Sequence, residues 1–326
     1  MPPFLMPKIS VFLLVFLFPF AAVGQAPVKT SAANASASVV QAAKLSETGH
    51  CADALPVLRR SASHVSDKDL KQRAGIAGVR CAMNLNHPEQ AVDFLQWLRR
   101  DFPGDPEVLY VATHAYSDLS VRASQELMQN APTSYQVHEL NAESLEVQGK
   151  WEEAAGEYRK ILEQNPRLPG IHYRLGRVLL SAPPSDNMAE DAKKEFQEEL
   201  EIDPKNAGAE YVMGELAREA QQWDDAIKHF ARATALDHGF TDAFFGLGRS
   251  LISADRSAEA IAPLQTFVKM QPQEPAGHFQ LATAYNHAGR KAEAEKEFAL
   301  YRQTTSEARQ TREELSKKLS GKSAPN

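Results

Sequence analysis

The chain has 326 residues, with 42 acidic against 36 basic side chains and a formal net charge of −6. A nucleic-acid binder gathers cations on one face to neutralise phosphates, and no basic cluster on that scale is present, so nucleic acid is excluded as a partner. The length would allow two compact domains, but the regularities described below favour one elongated array.

The first 26 residues read as an export signal. Lys8 supplies a sparse positive region, Ile9 to Phe18 an apolar core, and Ala21, Ala22, Gly24 and Ala26 the small residues of a processing site. Cleavage after Gly24 and after Ala26 fit equally well, and an uncleaved N-terminal anchor is the competing reading. No later segment approaches membrane-spanning length. The protein is therefore expected to be exported, periplasmic or secreted, and soluble after processing. Residues 27 to 37, rich in Ala and Ser, are expected to be a flexible linker.

From there a pattern recurs. Residues 35 to 66 carry Ala42, Leu45, Gly49, Ala54 and Leu58, and residues 72 to 103 carry Gly78, Ala91, Leu95 and Pro103. Residues 104 to 134 hold two short helical patterns, Val108 to Tyr116 and Val121 to Met128, and count as a degenerate copy. Residues 135 to 168 restore the pattern with Ala142, Gly149, Trp151, Ala154, Tyr158 and Pro166. The next copy, 169 to 206, keeps Leu175, Gly176, Ala192, Phe196 and Pro204. It is longer because Ser181-Ala182-Pro183-Pro184-Ser185 extends the inter-helix turn into a surface loop.

The segment from Ala207 to Glu274 then splits after Phe240 into two 34-residue copies that align without a gap. Met213-Gly214, Trp223, Ala226 and Phe230 of one match Leu247-Gly248, Ser257, Ala260 and Leu264 of the other, and Pro272 closes the second. Residues 275 to 308 add Leu281-Ala282, Tyr285, Gly289, Ala294 and Phe298. Beyond Tyr301 a mostly polar helix with Ala308, Leu315 and Leu319 on a thin stripe reads as a cap over 309 to 320, with a frayed tail at 321 to 326.

Within each copy the apolar residues fall at helical spacing twice over, as in Phe244, Leu247, Leu251 and Ala260, Ile261, Leu264, Phe267. Two amphipathic helices per copy follow. The small residues Gly248 and Ala260 let the pair approach closely, and each pair must stack on neighbours to bury its second face. The order Leu-Gly, Ala-x-x-x-Phe, Pro at a 34-residue period resembles the tetratricopeptide repeat (TPR) family. That resemblance implies an all-α fold, a right-handed superhelical α-solenoid of antiparallel helix pairs. About eight hairpins are expected over residues 38 to 308.

No chemistry stands out. Glu152-Glu153 and Asp224-Asp225 precede the column alanine at the start of each second helix, where negative charge complements the helix N-terminus. The ten histidines lack a His-x-x-x-His pair, and there is no Cys-x-x-Cys, so no metal is expected. His138, His172 and His278 share a column and read as satisfied, partly buried side chains. Gly246-Leu247-Gly248 is helix packing rather than a nucleotide loop. No catalytic residue and no cofactor are expected.

Cys51 opens the second helix of the first hairpin and Cys81 lies late in the first helix of the next. In an exported chain an even count favours a disulfide between them, with two unpaired buried cysteines as the alternative.

The TPR resemblance implies a scaffold that holds a protein or peptide along its concave groove. Tyr173, Tyr211, Phe245 and Phe279 occupy one column of four successive first helices, with Arg177, Arg218 and Arg249 further along the same stripes. This set is the candidate groove for an acidic or C-terminal segment, set against a purely structural role between hairpins. Two other readings stand beside it: an accessory subunit, similar to the repeats attached to a glycosyltransferase, with catalysis on a partner chain; and a structural protein that self-associates.

Overall fold

The computed structural model describes residues 29–183 and 187–321, with side chains described over 36–183 and 187–318. The expected export signal lies outside these residues, as do Pro184 and Ser185 of the extended turn. Among the described residues every regular element is helical, so the all-α expectation holds. The chain divides into two compact units, with the boundary between Ala123 and Ser124.

In the first unit, α1 (Lys29–Glu47) and α2 (Cys51–Ser61) form one hairpin, and α3 (Lys68–Asn84) and α4 (Pro88–Asp101) form the next. The helix α1 begins inside the stretch expected to be linker. From Lys29 onward the segment is rich in alanine, holds neither Gly nor Pro, and leads into Val39 and Ala42, which are buried in the unit's core. Asp67 caps α3 by accepting from the Leu70 N–H at 2.9 Å. Gly78 then lets α4 close in, because a β-carbon there would stand 2.4 Å from the Phe94 ring. Cys51 and Cys81 are joined as a disulfide with Cα atoms 4.9 Å apart, tying α2 to α3.

The degenerate copy is not a hairpin. Residues Pro106–Asn130 make one 25-residue helix, α5, whose first turn is capped by Asp105 accepting from the Glu107 and Val108 N–H groups. Nothing between the two expected patterns breaks a helix: Ser117-Asp118-Leu119-Ser120 contains neither Gly nor Pro. Only Val108, Val111, Ala112 and Ala115 of α5 are buried. The unit boundary falls within this helix, where the pairing of first and second helices lapses.

The second unit holds five hairpins. They are α6 (Tyr135–Val147) with α7 (Trp151–Gln164), α8 (Ile171–Ser181) with α9 (Met188–Ile202), α10 (Ala207–Glu219) with α11 (Trp223–Leu236), α12 (Thr241–Ser253) with α13 (Ser257–Met270), and α14 (Pro275–His287) with α15 (Lys291–Gly321). The starts at Ala207, Thr241 and Pro275, and at Trp223, Ser257 and Lys291, keep the 34-residue step.

Packing explains the columns. A β-carbon on Gly176 would meet the Phe196 ring at 2.8 Å, one on Gly214 the Phe230 ring at 2.8 Å, and one on Gly248 the Leu264 side chain at 2.4 Å. Each bulky residue of the second helix thus lies where the first helix has no side chain. A β-carbon on Gly246 of the following hairpin would likewise stand 2.7 Å from the ring of Phe230, which is fully buried. Burial of such a ring is worth about 1.5–3 kcal/mol.

The turns repeat as well. Gly49, Asn86, Gly149, Gln221, Asp255 and Gly289 all take positive φ between the helices of a pair. The next N–H in each case returns to a carbonyl five residues back, as from Lys150 to Leu145 at 2.9 Å and Gln222 to Ala217 at 2.8 Å. The capping stretch over 309–320, which the sequence leaves open as a separate helix or an extension of the last hairpin helix, is the continuation of α15. Thr304, Thr305 and Thr311 donate their hydroxyls to carbonyls four residues back, so the polar stretch is compatible with an unbroken helix.

Polar ties cross the same interfaces. His138 meets Glu157 at 2.7 Å, His172 meets Glu195 at 2.6 Å, and His278 meets Glu297 at 2.7 Å, each joining a first helix to its second. In α10 and α11 the pair is inverted, with Glu210 on the first helix and His229 on the second, 2.7 Å apart. A further carboxylate was not foreseen. Glu199 is fully buried in a column that holds Ile161 and Phe267 elsewhere. It accepts from the N–H groups of Gly170 and Tyr173 and from the Asn206 amide, satisfying the start of α8.

Three outcomes are expected. Gly248→Leu should lower stability by about 1–3 kcal/mol through overpacking against Leu264, although leucine is the better helix former; urea denaturation measures it, and an unchanged midpoint would remove Gly248 from the contact. Gln221→Gly relieves a side chain at φ 58° and should raise stability by roughly 0.5–1 kcal/mol, seen as a higher denaturation midpoint. The hydrogen bond to Glu195 raises the His172 pKa above its ordinary value. A raised folded value means that the His172 contribution is complete below the unfolded value of about 6.5 and is lost as pH climbs through the folded one. The stability gap between wild type and Glu195→Gln should therefore narrow as pH rises above that point, and a gap independent of pH would contradict the pairing.

Candidate functional site

The candidate site lies in the second unit, on the first helices α8, α10, α12 and α14. A residue one position beyond the core-facing residue of each helix is only partly covered by the second helix, which is why Tyr173, Tyr211 and Phe245 are half-buried and Phe279 is 42% exposed.

Each ring is also packed. Tyr173 meets Phe196 edge-on at 5.8 Å, and Tyr211 sits 5.8 Å from Phe230 and 4.8 Å from Phe240. Phe245 stacks on Phe267 at 4.7 Å, and Phe279 contacts Phe298 and Tyr301 at 6.1 and 5.4 Å. Gly208 approaches Tyr173 so closely that a β-carbon there would stand 2.8 Å from the phenol oxygen. One side of each aromatic thus contributes to holding helices together. Burial raises the pKa of the Tyr211 phenol, with Glu215 and Asp242 adding to it.

The arginines divide into two kinds. Arg177 lies 5.9 Å from the Tyr173 ring centre and Arg249 lies 5.5 Å from that of Phe245, each one helical turn on from its aromatic. Both are exposed, and each guanidinium still has donors to offer. Arg218 is different. It donates through Nε and Nη2 to Glu215 on its own helix at 3.1 and 2.6 Å, so it is committed to a neighbour and does not join the other two.

The sequence reading missed how the edges of this face are held. Arg174 reaches back to Glu143 of α6 at 2.7 Å and to Glu139 at 3.5 Å, and Tyr158 donates to Glu146 at 2.6 Å. Burial, then the bond to Glu146, pushes the Tyr158 phenol well above its usual range. Acids one or two turns apart on α6 could have suggested a basic partner, but the residue on α8 that would answer them is set by how the hairpins stack. Among the described residues no group of three or more metal-ligating side chains comes together.

The sequence model of the tetratricopeptide repeat matches residues 140–207, 211–275 and 245–308, together just over half of the chain. Among solved structures, a MamA protein is 20% identical with a TM-score of 0.49, over 54% of this chain and 94% of that one. YrrB, described as a TPR protein with an unusual peptide-binding site, is 19% identical with a TM-score of 0.49, over 56% of this chain and 92% of its own. MamA from Desulfovibrio magneticus RS-1 is 17% identical with a TM-score of 0.48, over 53% of this chain and 96% of that one. No curated protein sequence matches. With the repeat model matching over its five hairpins' columns and the helix pairs keeping a 34-residue step, the chain belongs to the tetratricopeptide repeat family.

Proposed function

We propose that the protein is a non-catalytic, exported scaffold that holds an acidic or C-terminal segment of another protein along the first-helix face of its second unit. The observation that carries this reading is the pairing of an accessible aromatic with an exposed arginine one turn away, Tyr173 with Arg177 and Phe245 with Arg249. Half-open rings provide apolar area at low entropic cost, and a guanidinium beside each can fork onto a carboxylate. Phe279 extends the column by a further hairpin. The Cys51–Cys81 disulfide supports an oxidising compartment. No helix among the described residues is long and apolar enough to cross a membrane.

Because the rings also pack, truncating Tyr211 or Phe245 confounds binding with stability. The exposed arginines are the better probes. A photo-crosslinking amino acid placed at Arg177 or Arg249, in protein isolated from its native compartment, should trap a discrete partner, and one at Lys228 on the second helix should not. The double variant Arg177→Glu/Arg249→Glu should lose that adduct while its melting transition stays in place. Adducts formed only from Lys228, or an adduct that survives the double reversal, would remove this face as the binding surface.

A further inference from the structure

The end of the second unit carries a second surface that the first-helix face does not account for. Along α15, Ala294, Phe298, Tyr301, Thr305, Ala308, Arg312 and Leu315 follow one another in alternating steps of four and three. That is the spacing of a coiled-coil seam. Its first part is in use: Ala294 is buried, and Phe298 and Tyr301 contact Phe279 of α14. From Thr305 onward the same seam continues with every described side chain exposed, Leu315 at 56%.

Beside it lies an open groove of about 820 Å³, walled by Pro275, Ala276 and Phe279 at the start of α14 and by Tyr301, Thr305 and Ala308 of α15. In earlier hairpins the matching place is filled by the chain entering the next first helix: Gly208 sits on Tyr173, and Phe240 on Tyr211. Here α15 runs straight on instead of turning, and among the described residues none covers the surface that would receive a helix.

The charges around the seam are all of one sign. Arg312 lies in it, and Arg302, Arg309 and Lys318 fall at the positions flanking it, whereas Glu307, Glu313 and Glu314 fall outside those positions, with Glu313 at the edge of the groove. Of the acids nearest the groove, Glu313 is held by Arg309 at 2.9 Å, and Glu274 accepts from the Ala276 N–H at 3.4 Å. Flanking charges decide which helix a seam accepts. A second copy would bring cations onto cations, with Arg309 meeting its own counterpart in an antiparallel pair.

We propose that this seam and groove dock an amphipathic helix of a partner protein, apolar at the seam spacing and flanked by aspartate or glutamate. The docked helix takes the place of a following first helix, covers Phe279, Tyr301 and Leu315, and sets its acids against Arg302, Arg312 and Lys318. A helix end of this kind, with a sparse apolar stripe and exposed side chains over Thr305 to Lys318, is stabilised by such docking.

Fluorescence anisotropy with the full-length protein tests this, using two synthetic helical peptides of about three heptads with leucine along the seam, one flanked by glutamate and one by lysine. The glutamate peptide should bind, and binding should weaken as salt rises from about 50 to 500 mM. Arg302→Glu/Arg312→Glu and, separately, Leu315→Asp should each lower its affinity roughly tenfold or more with unchanged melting, since all three positions are exposed. Arg177→Glu/Arg249→Glu should leave it intact, which separates this site from the first-helix face. Equal binding of the lysine peptide, no binding of either, or indifference to the seam variants would overturn the proposal. So would a concentration-dependent dimer in sedimentation equilibrium that Leu315→Asp abolishes, because the seam would then belong to a second copy.

Discussion

The contact on which the second unit rests is a bulky side chain of a second helix seated where the first helix has none. Phe196 against Gly176, Phe230 against Gly214 and Leu264 against Gly248 are the same contact at successive steps. Because Phe230 also reaches Gly246 of the next hairpin, one ring fills the space within a pair and between pairs. Dense interiors tolerate little change in volume. The glycine and the bulky residue are therefore one unit of information, and the antiparallel pairing of the two helices of a hairpin is what brings them together.

Around this apolar contact the polar ties are repeated with less rigour. Three hairpins place histidine on the first helix and glutamate on the second, and the α10–α11 pair exchanges the two residues while keeping the 2.7 Å contact. The exchange shows that the geometry of the pair is retained and not the identity at either position. Glu199 marks a different compromise. It surrenders an apolar column so that the donors at the start of α8 find an acceptor. A buried carboxylate is tolerable there because its oxygens accept from Gly170, Tyr173 and Asn206.

Both candidate surfaces arise where this packing is left incomplete. On the first-helix face, the second helix covers only one side of Tyr173, Tyr211 and Phe245, and beside Tyr173 and Phe245 an arginine stands one turn away. At the end of α15, the seam that holds Phe298 and Tyr301 goes on with its described side chains exposed. A repeat unit cannot bury all of its own apolar surface, so unfilled places at its edge and end are a consequence of the architecture. What distinguishes them is charge: isolated arginines beside rings in one case, a cationic border in the other.

Residue spacing by itself determined the helix pairs and their step, since the alternation of Gly, Ala and aromatic columns can be satisfied only by helices packed at close range. It also brought Cys51 and Cys81 into neighbouring helices, and placed the four aromatics in one column. The fate of α5 was not legible in the same way. Two apolar patterns separated by polar residues are compatible with a hairpin and with one helix, and only the tertiary structure, in which α5 runs unbroken from Pro106 to Asn130, decided for a single helix and divided the chain within it. The straight run of α15 was decided likewise, by threonine hydroxyls returning to their own helix. The burial of Glu199, the commitment of Arg218 to Glu215 and the closing of Arg174 onto Glu143 depend on which turns of different helices lie side by side. Periodicity states which face of a helix is apolar, but a polar contact needs the position of its partner, and that is known only once the helices are stacked.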